Sequence, residues 1–344
     1  MAYTTINKGS SYFNTKLYTG TGASNSVTGV GFAPDFVWIK NRDNGGAFHR
    51  LVDTVRGATK LLYSNGTNAE DTDVDSLTSF NVDGFTVGSG AGVNQSGSGI
   101  VSWNWLANGA GVSNTQGTVT STVSANTTAG FSIVSFTATS GTSSIGHGLG
   151  VAPSMIILKT RNQTGNWITG LAVNGWDKYL TLDTTNANVT DDRMFSPSAG
   201  TDPTSTLFWS NQAAIGSAGT MIAYCFAEVK GYSKFGSYTG NGSTDGTFVY
   251  TGFKPAFVIF KRSSSTGNWQ LYDNKRLGYN AGNNNVQPNL SNAESTASDL
   301  DILSNGFKLR VSGTDANGSG STYIYMAFAE NPFVTSTQIP TTAR

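Results

Sequence analysis

Pro34-Asp-Phe-Val-Trp-Ile-Lys40, Pro153-Ser-Met-Ile-Ile-Leu-Lys159 and Pro255-Ala-Phe-Val-Ile-Phe-Lys261 are one short pattern written three times in this chain. Each begins at a proline, runs through four consecutive apolar residues and stops at a lysine, with an arginine within two residues (Arg42, Arg161, Arg262). A run of this length, rich in β-branched and aromatic residues and bounded by turn-forming and polar residues, reads as a strand buried on both faces.

Working outward from these anchor strands, an aromatic stands 14 positions after each proline: Phe48, Trp167 and Trp269. A closing strand ends in an aromatic at Trp105, Phe226 and Phe328, and an opening strand (Leu17-Tyr-Thr-Gly, Ser135-Phe-Thr-Ala, Ser237-Tyr-Thr-Gly) precedes each anchor. Landmarks at fixed offsets mark an internal repeat. The spacing predicts a triplication, with modules at 16–107, 130–230 and 231–333, a lead at 1–15 and a tail at 334–344. Residues 108–129, rich in Gly, Ser, Thr and Asn, read as a linker, although Thr118-Val-Thr-Ser-Thr-Val123 alternates as a strand does. The direct join at Glu228 to Lys234 predicts that the second and third modules pack as a fixed pair.

Strict alternation in Val101-Ser-Trp-Asn-Trp105, Ile222-Ala-Tyr-Cys-Phe226 and Ile324-Tyr-Met-Ala-Phe328 gives each closing strand one bulky face and one mostly small face. No 3.6-residue periodicity is sustained. The fold class predicted is all-β, with three tandem β-sandwich modules of jelly-roll or lectin-like type.

Composition narrows the function. Charged residues make up 12% of 344, the formal net charge is zero and Gly numbers 42. A nucleic-acid binder would carry a clustered basic excess, so none is expected as a partner. The single Cys225 excludes an intrachain disulfide and a cysteine-based zinc site, and reads as a small buried residue. No apolar leader opens the chain and no run approaches the ~18 apolar residues of a membrane span, so the expectation is a soluble protein made in a cytoplasm.

Enzyme signatures are scarce. There is no Gly-x-Ser-x-Gly elbow, no phosphate loop and no His-Glu-x-x-His pair. His49 and His147 sit in unrelated contexts, and no catalytic residue is assigned. Asp71, Asp73 and Asp75 alternate like the start of a calcium loop, but Ser76 and Val82 replace the Gly and Glu that such a loop needs. Those aspartates are the one candidate for Ca²⁺, with a structural loop role read ahead of it; no other cofactor is expected. A carboxylate pair for glycoside hydrolysis could be drawn only from such loop residues. Asp53 with Arg56 and Asp273 with Arg276 suit a turn closed by an exposed ion pair worth about 0–1 kcal/mol, whereas Asn174 and Gly175 break that pattern in the second module. The candidate ligand contacts are Trp167, Trp176 and Trp269, which lie near loops where a sugar ring could stack, with Asn166 and Asn268 beside them to bond hydroxyls.

Several segments carry a family resemblance: Tyr-Thr-Gly-x-Gly (18–22 and 238–242), Pro-Asp-Phe-Val-Trp-Ile-Lys-Asn-Arg (34–42), Val-Arg-Gly (55–57), Asp-Gly-Phe-Thr-Val-Gly (83–88), residues 122–132 and Ala-Phe-Ala-Glu-Asn-Pro-Phe (327–333). Together they are similar to an uncharacterised protein family of marine bacteriophages, including those of cyanobacteria. The resemblance implies a non-enzymatic structural protein of the virion, tail-fibre-like and lectin-like, made in the host cytoplasm. Its partners would be other virion proteins, further copies of itself (a homo-oligomer, a trimer by preference) and a host-surface glycan bound for receptor recognition and host attachment. The alternative is a head decoration or tail-wall protein acting through protein contacts alone; a polysaccharide depolymerase is the third reading. The resemblance supplies no catalytic residues.

Overall fold

The computed structural model describes residues 4–191, 193–198, 201–211, 219–277, 280, 283–296, 299–332 and 334; all of the predicted tail but Val334 lies outside them. The chain is all-β, built from antiparallel sheets, and among the described residues it has one helical turn of four residues at Ala91–Asn94 and two short 3-10 turns.

Three sheets carry the architecture. In the first, the strands lie in the order Phe13–Thr19, Gly99–Trp105, Phe36–Asn41, Arg50–Asp53. In the third, the order is Ser233–Thr239, Thr322–Asn331, Lys254–Arg262, Gln270–Asp273. The second contains Phe131–Ala138, Gly219–Phe226, Met155–Thr160 and Ile168–Leu171, again opening, closing, anchor and a short fourth strand. Each anchor strand therefore lies inside its sheet, between the closing and the fourth strand.

Anchor strands are apolar on both faces because both faces are covered. Toward one side, Phe36 and Trp38, Met155 and Ile157, and Phe257 and Ile259 join one hydrophobic cluster common to all three sheets. Toward the other, Val37 and Ile39 pack on a smaller sheet (Asn25–Thr28, Gly84–Val87, Leu77–Asn81), Ile156 and Leu158 on the pair Thr142–Gly146 and Leu207–Asn211, and Val258 and Phe260 on Phe248–Tyr250, Gly306–Leu309 and Leu300–Leu303. Each large sheet thus forms a sandwich-like layer with its own small sheet and shares the central core with the other two.

The bulky face of every closing strand points into that centre. Trp103, Trp105, Tyr224, Phe226, Met326 and Phe328 all lie there, with Phe36 stacked on Tyr224 at 4.3 Å between ring centroids and Trp105 edge-on to Phe328 at 5.8 Å. Burying one such aromatic side chain is worth roughly 1.5–3 kcal/mol, so this shared centre contributes substantially to holding the three sheets together.

Two boundary expectations are corrected by the strands and the core. Residues 108–129 are not a slack linker: Val112–Asn114 and Ser121–Asn126 extend the second sheet beyond its opening strand, Val123 facing Val134 across the ladder. The lead is not outside the first module either, since Ile6 is in the central core and the opening strand begins at Phe13, stacked on Phe328 at 5.1 Å. The second and third modules do pack on each other, with Phe226 edge-on to Phe328 at 6.1 Å. The first packs on both as well, through Phe36 on Tyr224 and Trp105 on Phe328, because the sheets meet around a common centre rather than in a row.

Candidate functional site

The fourth strands decide what the predicted ligand contacts do. Strand register places Leu51, Thr169 and Leu271 opposite Trp38, Ile157 and Ile259. One residue precedes each fourth strand, and it is His49, Trp167 and Trp269. The 14-residue spacing is therefore off by one in the first module, whose loop carries an extra residue; Phe48 lies outside the series. The backbone N–H of each of the three donates to a side-chain oxygen: His49 to Asn65 at 2.9 Å, Trp167 to Asp183 at 2.9 Å and Trp269 to Asn289 at 3.0 Å.

These rings face inward. Trp167 and Trp269 are 0% exposed, so neither presents a face to a sugar. Trp167 Nε1 donates to the Tyr63 carbonyl of the first module at 2.7 Å, and Trp269 Nε1 to the Thr181 carbonyl of the second at 2.9 Å. The backbone of Gln287, in the third module, lies beside the His49 ring, although His49 Nε2 has no well-formed hydrogen bond. His49 Nδ1 instead accepts from Trp38 Nε1 at 2.9 Å. Each module thus presses one ring on the next around the centre. Trp176 is also buried, edge-on to Phe195 at 5.6 Å. Asn166 is exposed, while Asn268 is half-buried and bonded to Asn289 and Asp315. The five predicted contacts do not form a surface site.

The expected turn pairs Asp53–Arg56 and Asp273–Arg276 are not exposed. Both are wholly buried at module junctions, each with Nε to Oδ2 at 2.6 Å. Tyr224 of the second module donates to Asp53 at 2.8 Å, and Trp103 of the first to Asp273 at 3.0 Å. Glu70 then joins Arg56 to Arg161, and Glu294 joins Arg276 to Arg42. Burial raises the cost of the Asp273 charge, yet Arg276 outweighs it and holds that carboxyl below the usual range. At the third junction Leu171 takes the aspartate's register position, Met326 that of the donor, and Asn174 bonds Asn188 where the arginine and glutamate stand elsewhere. Donor, acceptor and both charges are absent together, as burial demands.

Asp71, Asp73 and Asp75 are engaged separately: Asp71 accepts from Tyr63 Oη at 3.1 Å, Asp73 from its own turn at Asp75 N, and Asp75 from Ser89 Oγ. Among the described residues no three His, Cys, Asp or Glu side chains converge to hold a metal. His147 is buried, its rings' nitrogens taken by the Thr204 carbonyl and the Leu149 N–H.

The surface does hold a cleft that sequence reading missed. It has a volume of about 790 Å³ and lies against the fourth strand of the first module, with Thr164 of the second at its rim. Phe48, 38% exposed, stands edge-on to Tyr63 at 5.6 Å and forms the apolar wall. Asn44, Asn68 and Asp71 add polar groups. Arg50 crosses the floor with its guanidinium 5.9 Å from the Tyr63 ring centroid. Burial, with Asp71 next, pushes the Tyr63 hydroxyl up to about 12, so it stays a neutral donor. The third module has a smaller hollow of about 330 Å³ in the corresponding place, where Gln270 and Gln287 occupy the register positions of Arg50 and Tyr63. The signal available in the sequence was Phe48-His-Arg50: only in this module is the buried ring a histidine, displacing the aromatic outward by one residue.

A family described as Domain of unknown function (DUF7483) matches residues 8–332. The chain belongs to that family. The match spans all three sheets, so the whole architecture is the family's unit. No curated protein matches the chain, and no solved structure does.

Proposed function

We propose that this is a non-enzymatic structural protein that reads a saccharide through the first module's cleft, its three sheets being copies of one lectin-like module. The observation that carries the reading is the cleft itself: an exposed aromatic wall, Phe48 against Tyr63, beside convergent amide, carboxylate and guanidinium groups in a volume suited to a small ligand. Sugars are held by such mixtures, an aromatic face under the ring's C–H groups and polar side chains at its hydroxyls. Glu70 is committed to Arg56 and Arg161, which favours binding over hydrolysis by a carboxylate pair. The repeated strand order and shared register support the triplication. In the setting the resemblance implies, the protein sits in a virion with its cleft toward the host surface.

Glycan-array binding with Phe48→Ala tests this. The wild type should retain specific saccharides and Phe48→Ala should lose at least about tenfold in affinity, with its melting midpoint unchanged because the ring is partly exposed. Absence of any saccharide binding, or equal binding by the variant, would refute it. A second reading, protein contact alone as in a decoration protein, is favoured by Phe248 and Tyr250, 44% and 63% exposed on an edge strand open to pairing.

A further inference from the structure

We infer that the first module's cleft selects saccharides bearing a carboxylate, which Arg50 receives; this rests on the saccharide reading above. Arg50 is half-buried, and among the described residues no carboxylate lies within ion-pair reach of it. Asp71, Asp73 and Tyr63 act on it only from a distance, and burial lowers its affinity for its proton. By contrast Arg42, Arg56, Arg161 and Arg276 each hold a carboxylate at 2.6–2.9 Å. A desolvated guanidinium without a counter-ion is costly unless something completes it.

Geometry says which edge is open. Arg50 Nη1 donates to the Phe48 carbonyl at 3.1 Å, whereas Nε is buried without a partner. The side chain is fixed by Gly92, where a Cβ would fall 1.5 Å from Nη1, and by the Tyr63 ring beside it. The group left for a ligand is Nη2, which has no partner among the described residues and can donate to a carboxylate oxygen. Phe48, Tyr63 and Arg50 line the same cleft, so a sugar ring stacked on Phe48 would hold its carboxylate within reach of that guanidinium. Gln270, in the corresponding place of the third module, has no such charge.

The test compares oligo-uronates with the same chains after reduction of their carboxyl groups, and with sulfated oligosaccharides, by calorimetry on the full-length protein. The wild type should bind the uronate at least tenfold more tightly than the reduced form. Arg50→Gln should remove that preference while keeping the weaker neutral binding. Gly92→Ala should do the same by evicting the guanidinium, without altering net charge, and rescue the argument should Arg50→Gln fold poorly. Equal affinity of the wild type for acid and reduced chains, or a preference for sulfate over carboxylate, would overturn the inference and leave the saccharide reading standing. Binding of none of the three would overturn both.

Discussion

Replacing Asp53 by leucine should be among the most damaging single changes outside the aromatic core, and the damage should be repairable. Asp53 is wholly buried and accepts three hydrogen bonds, from Arg56 N at 2.8 Å, Arg56 Nε at 2.6 Å and Tyr224 Oη at 2.8 Å. Its removal leaves the buried Arg56 charge to Glu70 alone, at 3.3 Å. Breaking a buried pair by deleting one partner costs about 3–5 kcal/mol. The third junction shows the apolar solution, with Leu171, Met326, Asn174 and Asn188 in the four places. Asp53→Leu combined with Tyr224→Met, Arg56→Asn and Glu70→Asn should therefore recover most of the loss, to within about 1–2 kcal/mol of wild type, because an apolar replacement of a whole buried ion pair is often neutral. Equilibrium urea unfolding of the single and quadruple variants measures this. A single variant within 1 kcal/mol of wild type, or a quadruple variant worse than the single one, would refute the equivalence of the junctions.

Trp38→Ala should cost about 3–5 kcal/mol in the same assay, since Trp38 is 1% exposed, packs edge-on to Trp103 at 6.1 Å and bonds His49; an unchanged midpoint would contradict its place in the core. Leu277, with φ of 62°, stands where the corresponding turns use Gly57 and Gly175, so Leu277→Gly should stabilise by about 0.5–1 kcal/mol, read as a raised melting midpoint. Burial lowers Lys40, Lys159 and Lys261 to about 8, each ammonium capped by backbone carbonyls. Between pH 8 and the ordinary lysine range the unfolded chain binds more protons than the folded one, so stability should rise with pH from about 8 toward 10. Calorimetry across that window should show the rise in the wild type and a flatter profile in the triple Lys→Met variant; a falling wild-type profile would refute it.

What was legible in the sequence was whatever short-range pattern determines. The anchor strands announced burial on both faces, and the alternation of the closing strands announced which residues would point inward. What escaped depended on partners far along the chain. Trp167 reads as a loop aromatic until its acceptor, Tyr63, is known to lie 104 residues away, and Trp269 likewise until Thr181 is found 88 residues away. Asp53 and Arg56 read as an exposed turn because nothing local says that Tyr224 covers them. Gly and Thr around Ser121–Asn126 read as linker because the strand is short and polar, and its place between Val112–Asn114 and Phe131–Ala138 is set by pairing rather than by apolar content. Arg50 is hidden in the sequence because one inserted residue puts Phe48, not His49, 14 positions after Pro34.

The central claim is that three sheets close on one shared core, holding the cleft on a rigid base, rather than stand as tandem modules. Differential scanning calorimetry of the full chain tests it most directly. One transition with a calorimetric enthalpy equal to the van't Hoff enthalpy is the result predicted for a common core. Two or three resolved transitions, or a calorimetric enthalpy two- to threefold the van't Hoff value, would show modules unfolding independently and contradict the account.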